Sequence, residues 1–136
     1  MDDKKLVDMA LRARENAYAP YSRFRVGACV RAESGKTYTG CNIENTTFSA
    51  TCCAERVAMY TALAAGEKSF THVAIASDSE EAAFPCGTCR QVITEFAPDA
   101  RVLCANREGA FEAYPAKELL PHAFLYRAGE KENTDE

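Results

Sequence analysis

At 136 residues, 47% hydrophobic and 26% charged, the chain has the size and composition of one globular domain and not of a disordered segment. Its net charge of −4 and pI near 5.3 exclude the basic face with which nucleic-acid binders neutralise phosphates, so no nucleic-acid partner is expected. The N-terminus, charged from Asp2, is not built as a secretory signal, and no run approaches the roughly 18 apolar residues of a membrane span, so a cytoplasmic location without a membrane partner is expected.

Leu6, Met9, Ala10, Ala13 and Ala17 recur at helical spacing and predict a helix over 3–17 that stops ahead of Pro20. Phe24, Val26, Ala28 and Val30 then alternate with Arg25, Gly27, Cys29 and Arg31, the pattern of a strand with one face toward a core. A turn at 33–36 leads into a second strand over 37–42, making a hairpin. A helix follows over 53–65 with Gly66 as its C-terminal cap. A buried strand at 72–77 and a helix over 86–96, ending before Pro98, come next. Strands over 101–106 and 110–114 are joined by Arg107-Glu108-Gly109 alone, a connection too short for anything but an antiparallel pair. A helical turn at 116–120 closes the domain, expected to span 1–128, and 129–136 reads as a solvated tail. The order αββαβαββ predicts an α/β fold: a three-layer, mixed five-stranded sheet flanked by helices, its last two strands antiparallel.

Seven cysteines, an odd number, in the reducing compartment expected here do not read as a disulfide framework, so metal binding or burial must account for them. Cys29, Cys41 and Cys104 stand alone in strand-like segments and read as small buried hydrophobes. The other four cluster at two helix starts: Cys52 and Cys53 ahead of Ala54-Glu55-Arg56, and Cys86 and Cys89 in PCGTCRQV. Helix N-termini favour thiolate over thiol, and a CxxC spacing brings two sulfurs to one metal ion, with zinc the natural guest. Cys53, Cys86 and Cys89 would give the three ligands of a catalytic zinc, with Glu55 beside the metal as a general acid/base and Arg56 offsetting the excess thiolate charge through hydrogen bonds to sulfur. A closed structural site using Cys52 as well is the alternative, and it strains the backbone because adjacent residues point apart. A redox pair at Cys86 and Cys89 leaves Cys53 and Glu55 unexplained. His72 and His122 have no neighbour at ligand spacing and are read as structural.

CAE at 53–55 and PCGTCRQV at 85–92 resemble the cytidine deaminase family, in its small, three-cysteine, homotetrameric branch. The resemblance runs from AYAPYSRFRVGA (17–28) through GCNIEN (40–45) to ELLPHAF (118–124), with Cys53 where other zinc deaminases carry His. It implies one zinc ion per chain on Cys53, Cys86 and Cys89, and hydrolytic deamination of cytidine and deoxycytidine in pyrimidine salvage. In that reaction an activated water attacks C4 while Glu55 protonates N3 and then the departing amine. It further implies that Asn42 and Glu44 hold the ribose, that the Ala54 backbone meets the base edge, that Phe24 packs beside the pyrimidine, and that Phe124 reaches a neighbouring subunit's site in a homotetramer. Phe48 stands where many relatives have Tyr, which removes a hydroxyl from the sugar pocket. A same-fold deaminase acting on another cytosine compound such as blasticidin S, and a non-catalytic zinc-stabilised module, are the competing readings.

Overall fold

The computed structural model describes residues 2–126; the tail expected at 129–136 lies outside them. Five strands, β1 (Val26–Ala32), β2 (Thr37–Cys41), β3 (Phe70–Ser77), β4 (Arg101–Ala105) and β5 (Phe111–Pro115), form one sheet in the order β2-β1-β3-β4-β5. Only β3 and β4 pair in parallel; the other neighbours are antiparallel, including the β4–β5 hairpin. Helix α1 (Asp3–Ala13) lies on one face, where Leu6, Val7 and Ala10 pack with Cys29, Ala74 and Leu103. Helices α2 (Ala54–Ala64) and α3 (Gly87–Phe96) cover the other, where Ala58, Met59 and Ile93 pack with Val30, Val73 and Val102. The sheet is therefore the middle of three layers.

Three expectations are corrected by the structure. The first helix stops at Ala13 and tightens into a 3-10 turn at Arg14–Asn16, because Ala17 and Tyr18 are drawn off to the 42–44 segment, where the Tyr18 N–H donates to the Asn42 carbonyl at 3.0 Å. Strand β1 is buried on both faces and not on one, since helices cover it above and below; Cys29 is fully buried under α1, in keeping with its reading as a small buried hydrophobe. Phe24 also falls outside β1, in the loop that precedes it.

Local sequence sets the helix ends. The Asp2 carboxylate caps α1 by accepting from the Lys5 N–H at 2.9 Å. Gly66 ends α2 at φ +101°, a left-handed conformation that side chains resist, and lets the Glu67 N–H reach back to the Ala62 carbonyl at 3.1 Å. Gly40 in β2 lies so close under α2 that a Cβ there would stand 2.5 Å from the Ala58 nitrogen and 2.7 Å from the Ala54 carbonyl oxygen. Only a glycine admits the helix at this distance, and this contact fixes where α2 begins.

Candidate metal centre and cavity

The register Gly27↔Cys41 and Val26↔Ser77 puts the start of β1 and the ends of β2 and β3 at one end of the sheet. Helices α2 and α3 both start there, so their unpaired N-terminal N–H groups and positive dipole ends converge at the carboxyl ends of two strands, where open α/β sheets generally bind ligands. Cys53 is the residue before the first turn of α2 and Cys86 holds the same place on α3, both in extended conformation. Cys89 follows one turn into α3 and is buried.

The three thiol sulfurs lie within 4.8 Å of one another, and Cys53 Sγ is 3.7 Å from Cys86 Sγ. Two sulfurs bound at ~2.3 Å to a tetrahedral zinc stand about 3.8 Å apart, so the spacing and the soft donor set both fit that ion. Cys52, half-buried in the cavity wall, is not in the cluster. All seven cysteines are unpaired thiols.

Arg56, one turn into α2, donates from Nη2 to Cys53 Sγ at 3.4 Å, the contact expected of it. Its Nε is buried without a partner. The Cys53 thiol is held well below the usual range, first by the Cys89 thiol that donates to it and then by Arg56, and Cys89 is correspondingly held up. Glu55 is 5% exposed; burial pushes its carboxyl up to about 7, and the charge on Cys53 adds to the shift.

A cavity of about 380 Å³ opens beside the cluster. Of the residues singled out in the sequence, Phe24, Asn42, Cys53, Ala54, Glu55 and Cys86 line it. Asn42 borders it with its amide engaged at both ends: Oδ1 accepts from the Val26 N–H at 2.9 Å and Nδ2 donates to the Phe24 carbonyl at 2.8 Å. Glu44 does not line the cavity. Its carboxylate accepts from the N–H groups of Tyr21 (2.9 Å) and Ser22 (3.1 Å) and from the Ser22 hydroxyl, so it anchors the loop that carries Phe24. Phe124 is 76% exposed and also stands away from this chain's cavity; its carbonyl accepts from Gln91 Nε2 at 2.7 Å.

Sequence reasoning missed the opposite wall. Ser77 at the end of β3, and Ser79, Glu81 and Phe84 from the segment between β3 and α3, line the cavity, and the Phe84 ring packs on Tyr114 with centroids 5.5 Å apart. The signal was faint: no residue in that segment has a spacing that marks it. Arg90 was missed as well, though it follows Cys89 directly. Its Nε donates to the Pro85 carbonyl at 2.8 Å and its Nη1 to the Leu119 carbonyl at 2.9 Å, which fixes the residue ahead of Cys86.

The sequence model described as the cytidine and deoxycytidylate deaminase zinc-binding region matches residues 1–105. The chain belongs to the cytidine and deoxycytidylate deaminase family. It is 47% identical to the cytidine deaminase of Sporosarcina psychrophila over 91% of this chain and 92% of that one, and 42% identical to that of Halalkalibacterium halodurans over 91% and 95%. Its fold matches the crystal structure of cytidine deaminase from Burkholderia pseudomallei with a TM-score of 0.88 at 42% identity, over 91% of this chain and all of that one. The cysteine triad offers the three-thiol cluster that a zinc-binding family calls for, and the cavity opens beside it.

Proposed function

We propose that the chain is a zinc-dependent cytidine deaminase that converts cytidine and deoxycytidine to uridine and deoxyuridine with release of ammonia, a step of pyrimidine salvage. The observation that carries this reading is the placement of a buried carboxyl, Glu55, in the cavity wall two residues after Cys53, one of three clustered thiols. Cys53, Cys86 and Cys89 would hold one zinc per chain. Bound there, the ion would act as a Lewis acid that makes water nucleophilic near neutral pH.

The remaining work falls to the protein's own groups. As water adds at C4, one of its protons passes through the Glu55 carboxyl to ring N3; the carboxylate then takes the remaining proton from the new C4 hydroxyl and gives it to the 4-amino nitrogen, the C4–N bond breaks, the C4 carbonyl forms and ammonia leaves. Burial suits Glu55 to this, because a carboxyl away from water trades protons with a bound ring instead of with solvent. As the first residue of α2, Ala54 has an N–H without a helical acceptor, available to the base edge. Phe24 offers an apolar wall to the pyrimidine. Asn42 keeps one amide hydrogen and one lone pair for a sugar hydroxyl; Glu44 is carried to the sugar side by the family resemblance, with its carboxylate held by Tyr21 and Ser22. Arg56 offsets the charge of three thiolates on a divalent ion.

Phe124, exposed and outside its own chain's cavity, is proposed to complete the site of a neighbouring copy in a homotetramer; exposed Tyr18, Phe48, Tyr60 and Tyr126 supply further apolar surface for association. Seven unpaired thiols support a reducing, cytoplasmic setting. The direct test follows ultraviolet absorbance of cytidine mixed with the purified chain, with and without prior chelation. Conversion that is lost on chelation and returns with zinc is expected; a folded, zinc-loaded chain that leaves cytidine and deoxycytidine unchanged overturns the reading.

A further inference from the structure

Past the last register pair of β1 and β3, Val26↔Ser77, the two strands part into the segments that form opposite walls of the cavity. Residues 21–25 carry Phe24 on one side, and residues 78–86 carry Ser79, Glu81, Phe84 and Cys86 on the other. One ion pair joins them at the fork. The Asp78 carboxylate accepts from Arg25 Nε and Nη2, both at 3.1 Å, and from the Arg25 backbone N–H at 3.0 Å, while the Asp78 N–H returns to the Arg25 carbonyl at 3.1 Å. Arg14 backs the pair from the 3-10 turn: its Nη1 stands 3.3 Å from Asp78 and donates to the Ser77 carbonyl at 3.0 Å.

We infer that Asp78, acting through Arg25, is a positioning residue for the substrate cavity: it clamps the loop bearing Phe24 to the loop leading to Cys86 and so sets the width of the cavity between them. Neither residue lines the cavity or touches the thiol cluster, so the clamp acts on substrate fit and not on proton transfer. The Phe24 loop needs such a restraint. Arg23 stands at φ +58°, a conformation that a non-glycine residue holds only when its neighbours fix it. On one side of Phe24 the fixing is done by Glu44, through Tyr21 and Ser22; on the other it is done by Asp78, through Arg25. A bidentate guanidinium–carboxylate pair also sets direction as well as distance, which a looser lysine pair does not.

The role in substrate fit rests on the cytidine deaminase reading, and two measurements separate the clamp from that reading. On the zinc-loaded full chain, Asp78→Ala and the isosteric Asp78→Asn are compared with wild type by cytidine kinetics, zinc content and backbone hydrogen exchange. Expected is a rise in KM of about tenfold with kcat changed by less than about threefold, the pattern of lost binding common to ground and transition states. Zinc stays bound, and exchange quickens in residues 21–26 and 78–84 while α1 and the β4–β5 hairpin keep their protection. Asp8→Ala, which breaks the exposed Lys4–Asp8 pair on α1, is expected to change none of these. If KM stays at the wild-type value in whichever Asp78 variant folds, or if exchange in 21–26 does not quicken, the clamp is wrong. Loss of zinc and kcat together with faster exchange everywhere would reduce Asp78 to a structural role and overturn it equally. A wild-type chain that leaves cytidine untouched would sink the functional reading, and the exchange comparison would still decide the clamp.

Discussion

Glu55 is where a single atom pair separates chemistry from architecture. Glu55→Gln keeps the volume and the hydrogen-bonding capacity of the side chain but cannot shuttle a proton, so turnover is expected to fall by roughly 10²–10⁴-fold with zinc content and thermal stability retained. Normal cytidine turnover by that variant would remove Glu55 from the proton relay. The adjacent thiols give a paired test. Cys53→Ala is expected to purify without stoichiometric metal, and Cys52→Ala with one zinc per chain, because only the Cys53 sulfur joins those of Cys86 and Cys89; metal analysis showing the reverse would assign the ligand wrongly. Arg56→Gln leaves the sulfurs in place but removes their cation, and a loss of about 10–100-fold in zinc affinity is expected from competition with a chelator. At this scale the sequence was most legible, since the types and spacings of Cys53, Glu55, Cys86 and Cys89 already carry a chemistry. Glu44 was not: its ties to Tyr21 and Ser22 join residues 22 or more positions apart, and no spacing announces them.

Elements put those residues in reach of one another. The α2 start is set by Gly40, and Gly40→Ala drives a methyl group into the backbone of Ala54 and Ala58. A loss of about 1–3 kcal/mol in denaturant unfolding is expected, with weaker zinc retention because Cys53 rides on the displaced end of α2. An unchanged midpoint would show that the helix can lift without cost. At the other fork, burial raises the pKa of Asp78 but is outweighed by its bonds to Arg25, with Arg14 adding to them, so the carboxyl is held below the usual range. The stabilisation is full above the unfolded carboxylate value of about 4 and is lost as pH falls through the lower folded value. Asp78→Asn is therefore expected to be less stable than wild type near neutrality and to converge with it in acid; a gap that stays constant in acid would contradict the assignment. Strand and helix identities were readable from periodicity, and the β4–β5 pairing from a three-residue connection. The early end of α1 was not readable, because its cause is the pairing of Tyr18 with residues 42–44, and neither was the two-sided burial of β1, which depends on its neighbours in the sheet.

For the whole molecule, assembly and metal should report together. Sedimentation is expected to give a species of about four chains, and Phe124→Ala to raise KM through the site it would complete in another copy. A monomer with full activity would refute both. Chelation is expected to lower Tm by at least roughly 5 °C, since three clustered thiols lose the ion that only the folded arrangement binds well. Among the described residues no helix is long and apolar enough to cross a membrane. The sequence by itself marked the candidate residues, since thiols, carboxyl and guanidinium at helix starts are local patterns, written in residues a few positions apart, and it determined the order of helices and strands by the same local periodicity. Only the tertiary structure decided what surrounds that chemistry: that two helix starts 33 residues apart bring Cys53 and Cys86 within 3.7 Å, and that Phe24 and Phe84 wall the same cavity. It also showed Asp78 holding the fork, 53 residues from its partner Arg25. Contacts of that range are set by sheet register and layer packing, which depend on the whole chain at once and leave no mark in any short stretch of it.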